Sequence, residues 1–323
     1  MDIYLETLAI SLMITVLLLL IFIPYLRYIR FGQMIRQEGP KEHFKKQGTP
    51  TMGGCLIVLG SIITFFYILI SHQMTNFKYA FLICFPTIAY CLIGFLDDYL
   101  IVVKKNNQGL LPRQKIILQI VSATLHFYFF LKNNLFTTIN FFGYEVDIKW
   151  LYGVWMLLIF IACSNAVNIT DGLDGLAGGL VIVTLLSLVI IASYFEDKYL
   201  MIYGLALIGA ITAFLCYNFH PAKIFMGDAG SLALGASIAN IAIILKVEIL
   251  LIILGFVFVL ETFSVIIQVL YFKMTKGKRI FLMSPLHHHF ELKGLSEWQV
   301  DLLFWFLALL SAFIGISLAV YYF

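Results

Sequence analysis

Charge is what this chain has least of. Only 12% of its 323 residues are Asp, Glu, Lys or Arg, against 62% that are hydrophobic, and a soluble domain carries roughly twice that share of charge. A chain so poor in solvating groups is not a soluble globule, and no nucleic-acid partner is expected. Cysteine is sparse as well. Cys55, Cys84, Cys91, Cys163 and Cys216 contain no CxxC pair and all fall inside or at the ends of apolar stretches. They read as packed thiols, which excludes a disulfide scaffold or a zinc site built on them. The sequence shows no internal repeat, low-complexity tract or separate polar domain. The first apolar stretch has Asp2 and Glu6 where a signal peptide has a basic start, and no small-residue cleavage site follows it, so it reads as a retained helix and not a signal peptide.

What the chain has in abundance is long apolar runs. Ten blocks lie near residues 4–26, 52–71, 79–96, 115–131, 150–167, 175–195, 199–216, 231–245, 249–272 and 300–322. Most are about 17–24 residues long, enough to cross a hydrocarbon core of roughly 30 Å. Sixteen of the 21 basic residues fall in the loops after spans 1, 3, 5, 7 and 9; the other five are Lys78, Lys132, Lys149, Lys198 and Lys246. An excess of Lys and Arg marks the cytoplasmic side. The expected fold is an all-α polytopic membrane protein of about ten transmembrane helices, with both termini extracytoplasmic and the active site in cytoplasmic loops. Residues 1–323 are expected to form one integral membrane catalytic domain. In the longest exterior loop, Thr137–Phe142 and Glu145–Ile148 alternate around Gly143-Tyr144 and predict a small hairpin.

The few acids are concentrated in that cytoplasmic set of loops. Carboxylates at a membrane edge are costly unless capping, paired or holding a cation. Asp97-Asp98 close span 3 as adjacent acids, where they oppose the helix dipole; they pair with Lys104 or Lys105, or serve a metal and a base. The run Ser164–Gly179 places Asn165, Asn168, Asp171 and Asp174 at every third position among Gly172, Gly175, Gly178 and Gly179. One of the acids caps span 6, or the whole face binds sugar hydroxyls, a nucleobase or a hard cation. Asn218–Ser231 brings Lys223, Phe225, Gly227, Asp228 and Gly230 to the start of span 8. Asp228 is a helix cap there, or part of a diphosphate and magnesium environment.

Two further loops and one helix face complete the pattern. Lys46–Gly54 contains Thr49 before Pro50, which is a helix start with Thr49 as its cap or, with Lys46 beside it and Thr51 following, a place for an anionic headgroup. Pro285–Glu291 carries His287, His288 and His289 in succession; adjacent histidines rarely reach one zinc ion, and phosphate hydrogen bonding or proton transfer is favoured. Glu261, Ser264 and Gln268 share one face of span 9, which belongs against a neighbouring helix or a polar groove.

These motifs together resemble the polyprenyl-phosphate N-acetylhexosamine-1-phosphate transferases over the whole chain. Asp97-Asp98 is similar to the family's acidic pair, Asn165–Gly179 to its NAxNxxDGLDGLA element, and Phe225–Ser231 to its FMGDxGS loop. Gly48–Gly54 and Pro285–Glu291 resemble the muramoyl-pentapeptide branch. One departure is visible: many relatives have a lysine three residues after the acidic pair, where this chain has Ile101, so that lysine's role passes to Lys104 or Lys115 or is lost.

The resemblance implies that undecaprenyl phosphate attacks UDP-N-acetylmuramoyl-pentapeptide, releasing UMP and leaving lipid I, in a bacterial plasma membrane and with Mg2+. It implies catalytic roles for Asp97, Asp98, Asp228 and His287–His289, with Asp228 and Asp98 as metal ligands. Lys46 and Lys115 would meet phosphate; Thr51, Asn165, Asn168, Asp171, Asp174, Asn218, Phe225, Gly227 and Gln268 would line the substrate site. Asp98 is assigned as base, with a covalent phospho-enzyme as the competing route. A homodimer is compatible with the pattern, and the oligomeric state stays open. The rival substrate is UDP-N-acetylglucosamine. A transporter is the rival class, disfavoured because only Glu261 lies well inside a span.

Overall fold

The computed structural model describes residues 2–28, 48–104 and 109–323. Lys46 and Lys105 therefore lie outside the described residues. Among those described, ten helices are long and apolar enough to cross a membrane, and the only sheet has two strands. In chain order the elements are α1 Ile3–Tyr28, α2 Gly53–Ser71, α3 Phe77–Lys104, α4 Pro112–Lys132, β1 Thr138–Phe141, β2 Tyr144–Asp147, α5 Leu151–Thr170 and α6 Leu176–Tyr194. They continue with α7 Lys198–Asn218, α8 Gly227–Leu245, the short α9 Leu251–Leu254, α10 Phe256–Met274, α11 Leu286–Leu292 and α12 Glu297–Tyr322.

α8 is the centre of the bundle, with 89% of its apolar window buried. Its composition explains this position: Gly227, Ala229, Gly230, Ser231, Ala233, Gly235, Ala236, Ser237 and Ala239 leave little bulk where neighbouring helices approach, between larger residues such as Leu232, Leu234 and Ile238. In lipid, helices associate through close packing and polar contacts, so small residues let backbones approach. A Cβ on Gly54 of α2 would lie 2.0 Å from the Gly230 Cα, and one on Gly94 of α3 would lie 2.1 Å from the Asp228 carbonyl oxygen. Gly235 makes a comparable contact with the Cys163 carbonyl of α5. Three helices thus touch α8 backbone to backbone, two of them at its N-terminal end.

Several polar residues inside the bundle have specific partners across helices. Pro86 in α3 has no N–H to offer the carbonyl four residues earlier. Asn240 of α8 supplies the missing donor, its Nδ2 reaching the Leu82 oxygen at 3.3 Å and that of Ile83 at 2.9 Å. A buried Thr87–Tyr203–Ser237 hydroxyl cluster joins α3, α7 and α8.

The predicted hairpin is present, with Thr138 opposite Asp147 and Phe141 opposite Tyr144. Beside it, Lys246 follows α8 in a left-handed turn. Its ammonium donates to the Phe136 carbonyl and, at 2.9 Å, to the Tyr152 hydroxyl. Burial pulls the Lys246 ammonium down to about 8, against the opposing pull of Glu248 and Glu145. Glu248 accepts from the Tyr152 hydroxyl at 3.0 Å and from the Trp155 indole at 3.3 Å.

Four boundaries differ from the sequence reading. α3 runs on to Lys104, so Asp97 and Asp98 sit almost two turns inside the helix, and the unfavourable placement at a helix C-terminus disappears. Span 9 is broken: a 3-10 turn at Glu248–Leu250 and α9 precede Gly255, after which α10 restarts. Pro285–Glu291 is not wholly loop, because Leu286–Leu292 forms α11. Finally, α2 begins at Gly53 with Met52 in the left-handed region at φ 72°, and Thr49–Pro50 caps nothing.

Candidate active site

The loops named from the sequence converge at the end of the bundle opposite the hairpin. The two glycine-containing loops bond directly to each other: Phe225 N–H donates to the Pro50 carbonyl at 2.8 Å, Gly53 N–H to Phe225 at 2.9 Å, and Gly54 N–H to Met226 at 2.9 Å. This explains the failed Thr49 cap, because the Pro50 carbonyl is committed to a strand-like contact with a distant loop.

At the N-terminus of α8 no side chain of the helix's own cap residue accepts an amide. Asp98 of α3 does so instead, its Oδ1 taking Asp228 N–H at 3.1 Å and its Oδ2 taking Ala229 N–H at 3.1 Å. A carboxylate so placed meets the positive end of the helix dipole. Gly227, at φ 72°, is needed for this approach, since a Cβ there would be 2.5 Å from the Asp98 Oδ2 and 2.8 Å from the Thr51 hydroxyl.

Asp97, Asp98 and Asp228 have carboxylate oxygens within 4.8 Å of one another, close enough to hold one metal ion. Lys115 of α4 is the cation among them, 2.5 Å from the Asp228 Oδ2 and 3.2 Å from the Asp97 Oδ1. Of the two lysines offered in place of the one missing at Ile101, Lys115 is the one that reaches the acids. Asp97 also accepts Leu110 N–H at 2.9 Å. Like charges about 4 Å apart repel by about 4 kcal/mol at an effective dielectric of about 20. Among the described residues, one ammonium faces three carboxylates, an excess of negative charge that favours a divalent cation or extra protons.

Of the asparagines, Asn168 bonds the cluster itself. Asn168 Nδ2 donates to the Asp228 Oδ1 at 2.7 Å and to the Ser231 hydroxyl at 2.9 Å. Asn165 donates to Gln119 Oε1 of α4 at 3.3 Å and to the Ile161 carbonyl at 2.8 Å. Asn218 accepts Gly175 N–H at 2.9 Å and donates to the Ile224 carbonyl at 2.9 Å, which ties the loop after α5 to the loop after α7. Neither Asp171 nor Asp174 caps α6, whose N-cap is Gly175. Asp171 caps the end of α5, and burial, then the charges of Asp228 and Asp174, push its carboxyl up to about 7. Asp174 is buried, accepting Ala222 N–H at 3.0 Å and facing the His220 Nδ1 at 3.3 Å.

The three histidines do not converge. His287 Nδ1 meets Glu261 Oε2 at 3.2 Å, His288 Nδ1 meets Glu291 at 2.7 Å, and His289 Nδ1 accepts Leu282 N–H at 3.1 Å. Gln268 is committed to backbone, accepting Ile280 and Phe281 N–H and donating to the Phe281 carbonyl. Glu261 and Gln268 thus grip the start of α11 and the loop leading into it, while Ser264 bonds the Glu261 carbonyl of its own helix.

Sequence reasoning did not single out Gln119, Ser231, His220 or Glu297. His220 also lies 3.5 Å from Glu297, joining the start of α12 to the Asp174 loop. Gln119 shares its span with Ser122, Thr124 and His126, so its type alone did not set it apart; Glu297 follows the Ser296 helix start that caps α12.

The family model for glycosyl transferase family 4 matches residues 80–246, the segment carrying the acidic pair, the Asn/Asp loop and Asp228. Signature 1 of the phospho-N-acetylmuramoyl-pentapeptide-transferases matches residues 46–58. Proteins bearing that name are similar over nearly the full length. The one from Oceanobacillus iheyensis is 51% identical over 319 residues, covering 97% of each chain. That from Bacillus subtilis is 48% identical over 323 residues, covering 99% of each, and that from Geobacillus thermodenitrificans is 47% identical over 315 residues, covering 97% of each. The chain belongs to the phospho-N-acetylmuramoyl-pentapeptide-transferase branch of glycosyl transferase family 4. For that family, the two loops joined through Phe225 and Pro50 unite the signature segment with the matched core.

Proposed function

We propose that this chain transfers phospho-N-acetylmuramoyl-pentapeptide from UDP-MurNAc-pentapeptide to undecaprenyl phosphate, giving lipid I and UMP. The observation that carries the reading is the joining of the residue 50–54 loop, a branch signature, to the acidic cluster through the Phe225–Asp228 segment. The whole chain works as one integral membrane catalytic unit in a bacterial plasma membrane. The loop-charge asymmetry supports a cytoplasmic acidic end, where a lipid phosphate and a soluble nucleotide can meet.

Transfer between two anions demands charge neutralisation and in-line positioning more than covalent chemistry by the protein. Asp97, Asp98 and Asp228 form an oxygen-only donor set suited to Mg2+ and would hold it. The ion, when bound, supplies charge neutralisation at the diphosphate. Asp98 holds the start of α8 through two amides, fixing Asp228. Lys115 bridges Asp97 and Asp228 and presents an ammonium to incoming phosphate. Asn168 orients Asp228, while Asp171, Asp174, Asn218 and Phe225 surround the uridine. Lys46 is assigned to phosphate from the motif alone. Asp98 as base remains part of the proposal; its oxygens retain lone pairs beyond the two amide bonds.

Purified protein given UDP-MurNAc-pentapeptide, undecaprenyl phosphate and Mg2+ is expected to release UMP, with none released when lipid or metal is omitted. Preference for UDP-N-acetylglucosamine in the same assay would replace the proposed substrate. Release without lipid acceptor would favour the covalent route.

A further inference from the structure

The buried Glu261 has no role in the reaction as described, yet both its oxygens are spent on one residue. Glu261 is fully buried in α10, and His287 of α11 is 1% exposed. Glu261 Oε1 accepts the His287 backbone N–H at 3.1 Å, and Oε2 faces its Nδ1 at 3.2 Å. A carboxylate offers no hydrogen, so Nδ1 carries one. The singly protonated ring then has its lone pair at Nε2. That nitrogen is buried and has no hydrogen-bond partner, an arrangement that burial penalises.

Nε2 faces the loop between Asp171 and Asp174. A Cβ on Gly172 would lie 2.3 Å from it, so glycine is what lets the imidazole reach this loop. The neighbouring histidines face other partners, Glu291 and the Leu282 amide. Of the three rings, His287 is therefore the one that a buried carboxylate holds against the proposed nucleotide loop.

We infer that Glu261 and His287 form a carboxylate–imidazole pair that fixes Nε2 of His287 as a hydrogen-bond acceptor for the nucleoside part of the UDP-sugar, with Glu261 as the positioning residue. The group that meets it is a ribose hydroxyl or a base N–H. This rests on the proposed function, because it assigns the residue 168–179 loop to the nucleotide. Outer partners that set the tautomer of a metal-binding imidazole matter by about 10–100-fold, and an effect at the lower end of that range is expected for this pair.

The test uses the full-length protein in detergent with UMP as the binding probe and the transfer assay alongside. Glu261→Gln places an amide beside the ring and lets Nδ1 become the acceptor and Nε2 the donor. It is expected to weaken UMP binding and raise KM for the UDP-sugar by about tenfold or more, with KM for the lipid acceptor unchanged. The 15N resonances of His287, assigned by their loss in His287→Gln, should change tautomer in Glu261→Gln. His287→Gln, whose amide reaches toward the Nε2 position, should retain more UMP binding than His287→Ala. Adding Glu261→Gln to His287→Ala should cost nothing further, since the ring it orients is gone. Equal loss in both KM values, additive losses, or an unchanged tautomer would reduce the pair to a structural brace and overturn the inference. Wild-type protein that neither binds UMP nor releases it would overturn the functional reading instead; a competent wild type beside an unaffected Glu261→Gln would overturn only this one.

Discussion

The two ends of the bundle both bury charge, and they handle it in opposite ways. At the hairpin end, Glu248 and Lys246 share the Tyr152 hydroxyl as a common partner, one negative group against one positive. At the acidic end, three clustered carboxylates face Lys115, with Asp171 and Asp174 close behind. Among the described residues, the hairpin end sets one charge against one, while the acidic end sets three against one. On the proposed function, the difference separates a structural use of buried charge from a ligand-binding one.

The sharpest way to break that comparison is to remove one acid from each end. Asp228→Ala is expected to lower transfer by about a thousandfold or more while the protein stays folded, because it relieves like-charge repulsion. Asp98→Asn should follow it. Glu248→Gln should leave turnover unchanged and lower the melting temperature, having stripped Lys246 of its counter-charge. Near-normal turnover in Asp228→Ala, or a comparable loss in Glu248→Gln, would erase the distinction.

A smaller effect comes from the glycines. Gly54→Ala puts a methyl 2.0 Å from the Gly230 Cα and is expected to cost about 1–3 kcal/mol of stability, together with turnover, as α2 and α8 separate. At the other end Gly143, at φ 93°, has only the Tyr322 carbonyl within reach, at 3.6 Å. Gly143→Ala strains the turn by about 1 kcal/mol and should leave the transfer assay untouched. Parallel melting curves and UMP release would show whether the two substitutions separate in this way.

The subtlest expectation concerns pH. Folded Asp171 keeps its proton up to about 7, whereas an unfolded aspartate loses it near about 4. Between those values the folded state binds the extra proton, so this group's stabilising contribution is full at acid pH and declines as pH rises through the window. In metal-free buffer the melting temperature should drift down from pH 4.5 to 7.5, and Asp171→Asn should flatten part of that drift. An identical slope in both proteins would mean that Asp171 is not the group responsible.

Helix number, the hairpin and the identity of the acidic loops were legible from the sequence because each depends on local pattern: apolar length, alternation, and glycine beside acid. What was hidden depends on pairing across the fold. Asp98 looked like an exposed helix end because nothing near it in sequence says that it accepts the amides of α8. Gln268 read as substrate-lining, and its three bonds to the Ile280–Phe281 backbone appear only when α10 meets its own loop. Thr49-Pro50 had the residues of a helix start, but the Pro50 carbonyl bonds a loop far along the chain. The break at Gly255 had a visible signal, a glycine within an apolar run, which the overall hydropathy of the stretch concealed.

The bonds from residues 50–54 to Phe225 and Met226 also bear on how such a protein is made. Helices α1 to α7 leave the ribosome before Phe225 does, so an emerging chain holds Asp97, Asp98, Lys115 and the Asn/Asp loop without the segment that joins them. Until α8 inserts, the amides that Asp98 will accept do not yet exist beside it, and its charge has no helix start to neutralise. The centre of the bundle is therefore, among the described residues, the eighth of the ten long apolar helices to be made, and the acidic cluster is complete only once it has emerged.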